Sequence, residues 1–312
     1  MNLFTANDGR IRSLWRFVLA VFVTYFANVV AAGFAASAGY GRRFEFIYRV
    51  LALVLVLVGY SVLLVIADRV EENPLSAMGL SLRRPWLREA IMGLALGVTL
   101  IVIAAAALAV AGHLTFTSYL SYRTFARIFA VIIILAAGAM LEEAMFRGYP
   151  FQRLVESVGS VGAILILSGL FGAAHLANPH ASVWGFINTV AVGVLLSLLY
   201  LRTRSLWMPW GFHFAWNLTL GLLLGLPVSG MSTFSVLIRT KAAGPVWLTG
   251  GRYGIEASAV GTAVIATGII LVLTLVKPST PAVPAPSVTA DLGGLEQNGV
   301  PAERIQLDGD AG

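Results

Sequence analysis

Long uncharged apolar runs limit what this chain can fold into more than any other feature. A helix of about 20 apolar residues spans the ~30 Å hydrocarbon core of a bilayer. Runs of this kind lie near 17–38, 50–67, 90–112, 126–148, 161–177, 183–201, 206–226 and 255–276. Lipid offers no partner to a backbone N–H or C=O, so a spanning segment must satisfy both internally, as a helix does. The expected fold is therefore all-α, a polytopic membrane helical bundle of about eight transmembrane helices. The fifth run is short and the fourth ends in charge, which leaves seven as the alternative. Composition agrees: 58% of the 312 residues are hydrophobic and 12% charged, where soluble domains carry about 25% charged. Cysteine is absent, which excludes disulfides, thiolate metal sites and a cysteine nucleophile.

The first run follows Arg10, Arg12 and Arg16 and ends in AASAG, as a signal peptide would. Its 22 residues exceed a signal's apolar core, so it is expected to remain as an anchor. Alternating the loops places 13 Lys and Arg on one side, including Arg69, Arg83, Arg84, Arg202 and Lys277, against 8 on the other. The positive-inside bias then puts both termini in the cytoplasm. The formal charge of +6 is accounted for by topology and anionic lipid, with no nucleic-acid partner implied. Residues 1–277 read as one membrane domain. Residues 278–312 begin PSTPAVPAPS and carry five acids against Arg304, which predicts a disordered tail. The stretch NPLSAMGLSLRRPWLRE, 73–89, mixes Leu, Met and Trp with Arg and is expected to lie along the cytoplasmic interface. Gly93 and Gly97 form a GxxxG, read as close helix packing.

Three polar clusters interrupt the apolar runs between 142 and 217. A carboxylate in a bilayer costs a few kcal/mol at least, so each needs a reason. Glu142 and Glu143 are adjacent on a helix and point about 100° apart. Glu143 and Arg147 are i, i+4 and suit an ion pair on one face, which turns Glu142 elsewhere. Phe171 with His175, and His213 with Asn217, share a face by the same spacing. Singly, each has a plain reading as a structural hydrogen bond or a solvated headgroup-level charge. Together a carboxylate, two imidazoles, an amide and a guanidinium equip a bundle interior for proton transfer and oxyanion stabilisation. The other histidines, His113 and His180, fall at loop positions.

In this order, Glu142-Glu143-xxx-Arg147, Phe171-xxx-His175 and His213-xxx-Asn217 resemble the CPBP intramembrane proteases, the CAAX-prenyl-endopeptidase-like or Abi proteins. The resemblance covers roughly residues 125–222. A local departure is Pro150, which should kink or end its helix just past the first motif. The resemblance implies hydrolysis of a peptide bond in a membrane-embedded or membrane-associated peptide or protein. Glu142 would be the general base towards water, and His175 would hold that water and shuttle its proton. His213 and Asn217 would stabilise the oxyanion. Glu143 and Arg147, with Phe171, would support them, chiefly by holding Glu142 in place. No cofactor is required on the metal-free version of this chemistry; Zn²⁺ bound by Glu142, His175 and His213 is the alternative, although no HExxH or HxxEH occurs.

Other functions compete with this one. A rhomboid-like Ser–His pair could draw on Ser168, but it leaves the glutamates unexplained. A proton-coupled transporter would also use intramembrane Glu and His, yet no repeated half is visible. A non-catalytic binding or immunity protein of the same family would have no need of the full motif set. Helix rise adds a geometric demand. Counted at 1.5 Å per residue, His175 lies about 22 Å into its span and His213 about 12 Å into its own. The fifth helix must therefore tilt strongly or begin outside the core.

Overall fold

A computed structural model describes residues 13–18, 21–22, 79–82, 85–118 and 124–278. Along them run the helices α1 (Trp86–Val110), α2 (Thr124–Arg147), α3 (Tyr149–Ala174), α4 (Val183–Thr203), α5 (Trp207–Leu218), α6 (Val246–Thr249) and α7 (Ala259–Leu275). The protein is a membrane helical bundle, as its apolar runs require. Among the described residues three apolar stretches are long enough to cross a bilayer: Trp86–Val110, Arg127–Ala177 and Val183–Thr203, the second containing most of α2 and all of α3; Ala259–Leu275 is shorter. Each predicted span from 90–112 onward coincides with a helix. The spans 17–38 and 50–67 fall outside the described residues except at 17–18 and 21–22, and the count of eight falls outside with them. So do the tail beyond Pro278 and, within the 73–89 stretch, residues 73–78 and 83–84.

Two short strands are an addition to the all-helical expectation. β1 (Leu114–Ser118) pairs antiparallel with β2 (Ile238–Ala242), with Phe116 opposite Thr240. Both are five residues long, and the alternation in LTFTS is too brief to stand out from a loop.

The close packing read from Gly93 and Gly97 is real, and it acts on the helix that carries His213. A Cβ on Gly93 would lie 2.1 Å from the Met208 carbonyl oxygen, and one on Gly97 would lie 2.5 Å from that of Phe212. Gly211 answers from α5, its Cβ position 2.4 Å from the Ala90 carbonyl oxygen. Backbones touch here because none of the three carries a side chain. Beyond them, Leu100, Leu195, Leu199, Phe212, Trp216 and Ile265 fill the core shared by α1, α4, α5 and α7. Gly93→Val should therefore displace α5 and lower stability by about 3 kcal/mol, the upper end for overpacking. Gly138→Ala is the control, since a Cβ there meets nothing within 4 Å. Thermal unfolding in detergent should separate the two; equal melting points would refute this account of the α1–α5 contact.

Pro150 behaves as expected. α2 ends at Arg147, Gly148 leaves helical geometry, and Pro150 sits in the first turn of α3, where its missing N–H is not needed. α3 then breaks at Gly159, with φ 77° and ψ 168°, a conformation that glycine adopts readily. The predicted fifth span corresponds to the part beyond this break, residues 160–174. α5 has 12 residues and runs into a π-helical turn of 5, Thr219–Leu223. α7 has 17.

Candidate active site

Glu142, Glu143 and Arg147 occupy the last two turns of α2, and the two acids diverge as adjacent helical positions must. The Glu143 side chain is wholly buried, whereas that of Glu142 is 38% exposed. Arg147, also wholly buried, places Nη1 3.3 Å from Glu143 Oε1. Its Nη2 donates to the Gly193 carbonyl on α4 at 3.1 Å. Its guanidinium carbon lies 4.6 Å from the centre of the Phe171 ring, a cation–π contact in a desolvated setting. Phe146 meets the same ring edge-on at 5.1 Å. One arginine thus ties together α2, α3 and α4.

His213 comes to this cluster from α5. Its Nδ1 lies 2.8 Å from Glu143 Oε1, and an ionised carboxylate only accepts, so the proton is on Nδ1. Nε2 faces Glu142 Oε2 at 3.8 Å, beyond direct hydrogen-bond reach. Here the structure corrects the expectation for Glu143. Its partners are Arg147 and His213, and it fixes the imidazole rather than Glu142. The buried Glu142 Oε2 makes no hydrogen bond among the described residues.

His175 closes α3. Its Nδ1 donates to the Phe171 carbonyl at 2.8 Å, which leaves Nε2 as the ring's lone-pair nitrogen. The Phe171 and His175 rings are 4.6 Å apart, and Phe171 meets His213 edge-on at 6.1 Å. The two histidines therefore flank one phenylalanine despite their unequal distances along the chain from their helix starts. Asn217 lies one turn beyond His213, half-buried, and its amide has no partner among the described residues. The structure thus gathers Glu142, Glu143, Arg147, Phe171 and His213 in direct contact. His175 lies one ring away and Asn217 one helical turn away.

Among the described residues no three His, Asp or Glu side chains are grouped as metal ligands. Glu142, His175 and His213 are thus not grouped as the ligands of a zinc site would be. Ser168 is buried against Gly193, its Oγ without a partner, so it forms no Ser–His pair. His113 Nδ1 bonds the Ala243 carbonyl at 2.8 Å, an ordinary loop contact.

Sequence reading passed over Glu256. It stands in a 3₁₀ turn, Ile255–Ala257, before α7, and its Oε1 accepts from Trp216 Nε1 at 3.0 Å. No spacing singles it out. The available signal is an isolated acid three residues before an apolar run.

Comparison with known proteins bears on the same region. Residues 123–219 match the family model described as type II CAAX prenyl endopeptidase Rce1-like. A Bacillus subtilis (strain 168) protein named "Uncharacterized protein YyaK" is 28% identical over 124 residues, 38% of this chain and 41% of that one. "Putative membrane peptidase YdiL" of the same organism is 32% identical over 87 residues, 28% of this chain and 34% of that one. The matches thus cover less than half the length of these relatives. No solved structure matches the chain. All three motifs of this integral membrane protein thus fall inside the segment, residues 123–219, that is similar to type II CAAX prenyl endopeptidases.

Proposed function

We propose that the protein is an intramembrane endopeptidase that hydrolyses a peptide bond in a membrane-associated or lipid-modified substrate. The observation that carries this reading is the Glu142 carboxylate. It is part-exposed at the end of an apolar helix, its Oε2 has no hydrogen bond among the described residues, and that atom faces His213 Nε2 at 3.8 Å. Glu143 also leaves its Oε2 unbonded, but it is wholly buried and its Oε1 is shared by Arg147 and His213, as suits a carboxylate that holds the fold together.

In this mechanism Glu142 Oε2 takes a proton from the attacking water while the water oxygen bonds to the scissile carbonyl carbon. The carbonyl π electrons move onto oxygen, and the Asn217 amide donates to the oxyanion so formed. His213, protonated at Nε2 from solvent before water attacks and keeping that proton throughout, donates from Nε2 to the same oxygen, with Glu143 as its counter-ion. The oxyanion then collapses, the C–N bond breaks, and the proton held by Glu142 passes to the leaving amine. His175, anchored through Nδ1, offers Nε2 as an acceptor that orients the water. Arg147 and Phe171 keep Glu143 and both imidazoles in register.

The decisive comparison is proteomic, between membranes of cells carrying the native chain and cells carrying Glu142→Gln. Peptide fragments that arise only with the native chain are expected, and their cut sites give the substrate class. Identical fragment profiles at equal protein levels would refute the proposal. Orientation is a separate part of it, with both termini in the cytoplasm. A reporter fused after Gly312 should be active only in its cytoplasmic form, and one inserted at Ala243 only in its external form. Agreement between the two would refute this topology.

A further inference from the structure

Building on the protease reading, we propose that Glu256 is a positioning residue of the active site. It locks the helical turn carrying His213 and Asn217 to the loops beside His175. Its carboxylate is clamped from two directions. Oε1 accepts from Trp216 Nε1 at 3.0 Å, and Trp216 lies on α5 between His213 and Asn217. Oε2 accepts from the Ser229 backbone N–H and, at 3.3 Å, from the Ser229 hydroxyl. The backbone of the same turn is held as firmly. Asn188, buried on α4, donates to the carbonyls of Glu256 at 2.8 Å and Ser258 at 3.0 Å. Thr262 on α7 donates to the Asn188 side-chain oxygen at 2.8 Å. A surface glutamate has no such set of partners.

The loops around it close on the end of α3. Gly230 donates its N–H to the Tyr253 carbonyl at 2.9 Å, and a Cβ on Gly230 would lie 1.9 Å from the Pro179 carbonyl oxygen. Only a glycine permits that approach, at φ 84°. The 229–231 loop is therefore pressed between the turn at 253–256 and the chain that leaves His175 through Asn178 and Pro179. Glu256 thus reaches both halves of the site, the turn of Asn217 through Trp216 and the chain leaving His175 through the Ser229–Gly230 loop, without touching reacting atoms.

The test uses purified full chain in detergent, with the peptide substrate defined by the native-specific cut site. Glu256→Gln leaves one acceptor oxygen and turns an NH₂ towards a donor, so one of the two anchors is lost. A kcat lower by about 10-fold or more, with KM within about 2-fold, is expected, because positioning of an oxyanion donor acts in the transition state. Trp216→Phe keeps an aromatic ring but removes the donated hydrogen bond, and it should lower kcat in the same way. The double variant should be no worse than the more damaging single one, since both break one connection. Native kcat in Glu256→Gln, a loss confined to KM, or multiplied effects in the double variant would overturn the inference. If Glu256→Gln does not fold, Trp216→Phe decides alone, and native kcat in it overturns the inference. Activity of Glu142→Gln at the native level would instead bring down the protease reading, and this inference with it. An inactive Glu142→Gln beside a fully active Glu256→Gln brings down only this one.

Discussion

Arg147→Ala should destabilise the protein by about 3–5 kcal/mol, the range for breaking a buried ion pair by removing one partner. Three losses add up at this position. The buried Glu143 carboxylate keeps its charge without its counter-ion, the Gly193 carbonyl loses a donor, and the Phe171 ring loses its cation. Glu143→Gln should be milder in shape but similar in sign, because it strands the guanidinium instead. The two are told apart by rescue. Glu143→Gln combined with Arg147→Met should be more stable than Glu143→Gln alone, since the stranded charge is gone and the cavity is refilled. Thermal unfolding of the four proteins in one detergent measures this. A double variant no more stable than Glu143→Gln would mean that the stranded guanidinium is not what destabilises Glu143→Gln.

Glu142→Gln should leave the fold intact and lower kcat by about 10²–10⁴-fold, the usual contribution of a positioned general base. The amide matches the carboxylate in shape but offers no site for the water proton. Among the described residues no hydrogen bond to Oε2 is lost, as none is made, so the melting point should stay near native. Asn217→Ala should lower kcat about 10²–10³-fold with little change in KM, as expected of an oxyanion donor. A fully active Glu142→Gln would remove the carboxylate from the chemistry altogether. The reverse pattern, with Glu143→Gln inactive yet fully stable and Glu142→Gln active, would exchange the roles of the two acids. Zinc dependence is settled on the same protein. Chelator-treated enzyme is expected to keep its activity, and loss restored by about one equivalent of Zn²⁺ per chain would reject the metal-free version.

What the sequence made legible was local. The i, i+4 rule puts Glu143 with Arg147 and Phe171 with His175, and both contacts are present. The same rule turns Glu142 away from that pair, and its exposure differs from that of Glu143 accordingly. The bond from Glu143 to His213 joins residues 70 positions apart. Helical periodicity carries no information about which faces of two distant helices meet. The glycines at 93 and 97 announced a close approach but not that its partner would be α5. Glu256 was hidden for a related reason: its importance lies in Trp216, Ser229 and Asn188, three residues from three separate stretches of chain. The β1–β2 pair stayed hidden because five-residue strands leave almost no periodic trace.

The lengths of the helices also act on the surrounding lipid. α1, with 25 residues, extends about 38 Å, more than enough for a bilayer. The elements that carry His175 and His213 fall short of it. The part of α3 beyond Gly159 spans about 22 Å, and α5 with its π turn about 25 Å. A bilayer of about 30 Å relieves such mismatch by pinching inward against the shorter helices. On this side of the bundle such pinching would draw the headgroups towards the site and shorten the path of bulk solvent to Glu142. A hydrolase in hydrocarbon must import its second substrate, water. If Glu142 activates that water, as proposed, the short helices beside it would supply a route, and they would suit thinner membranes.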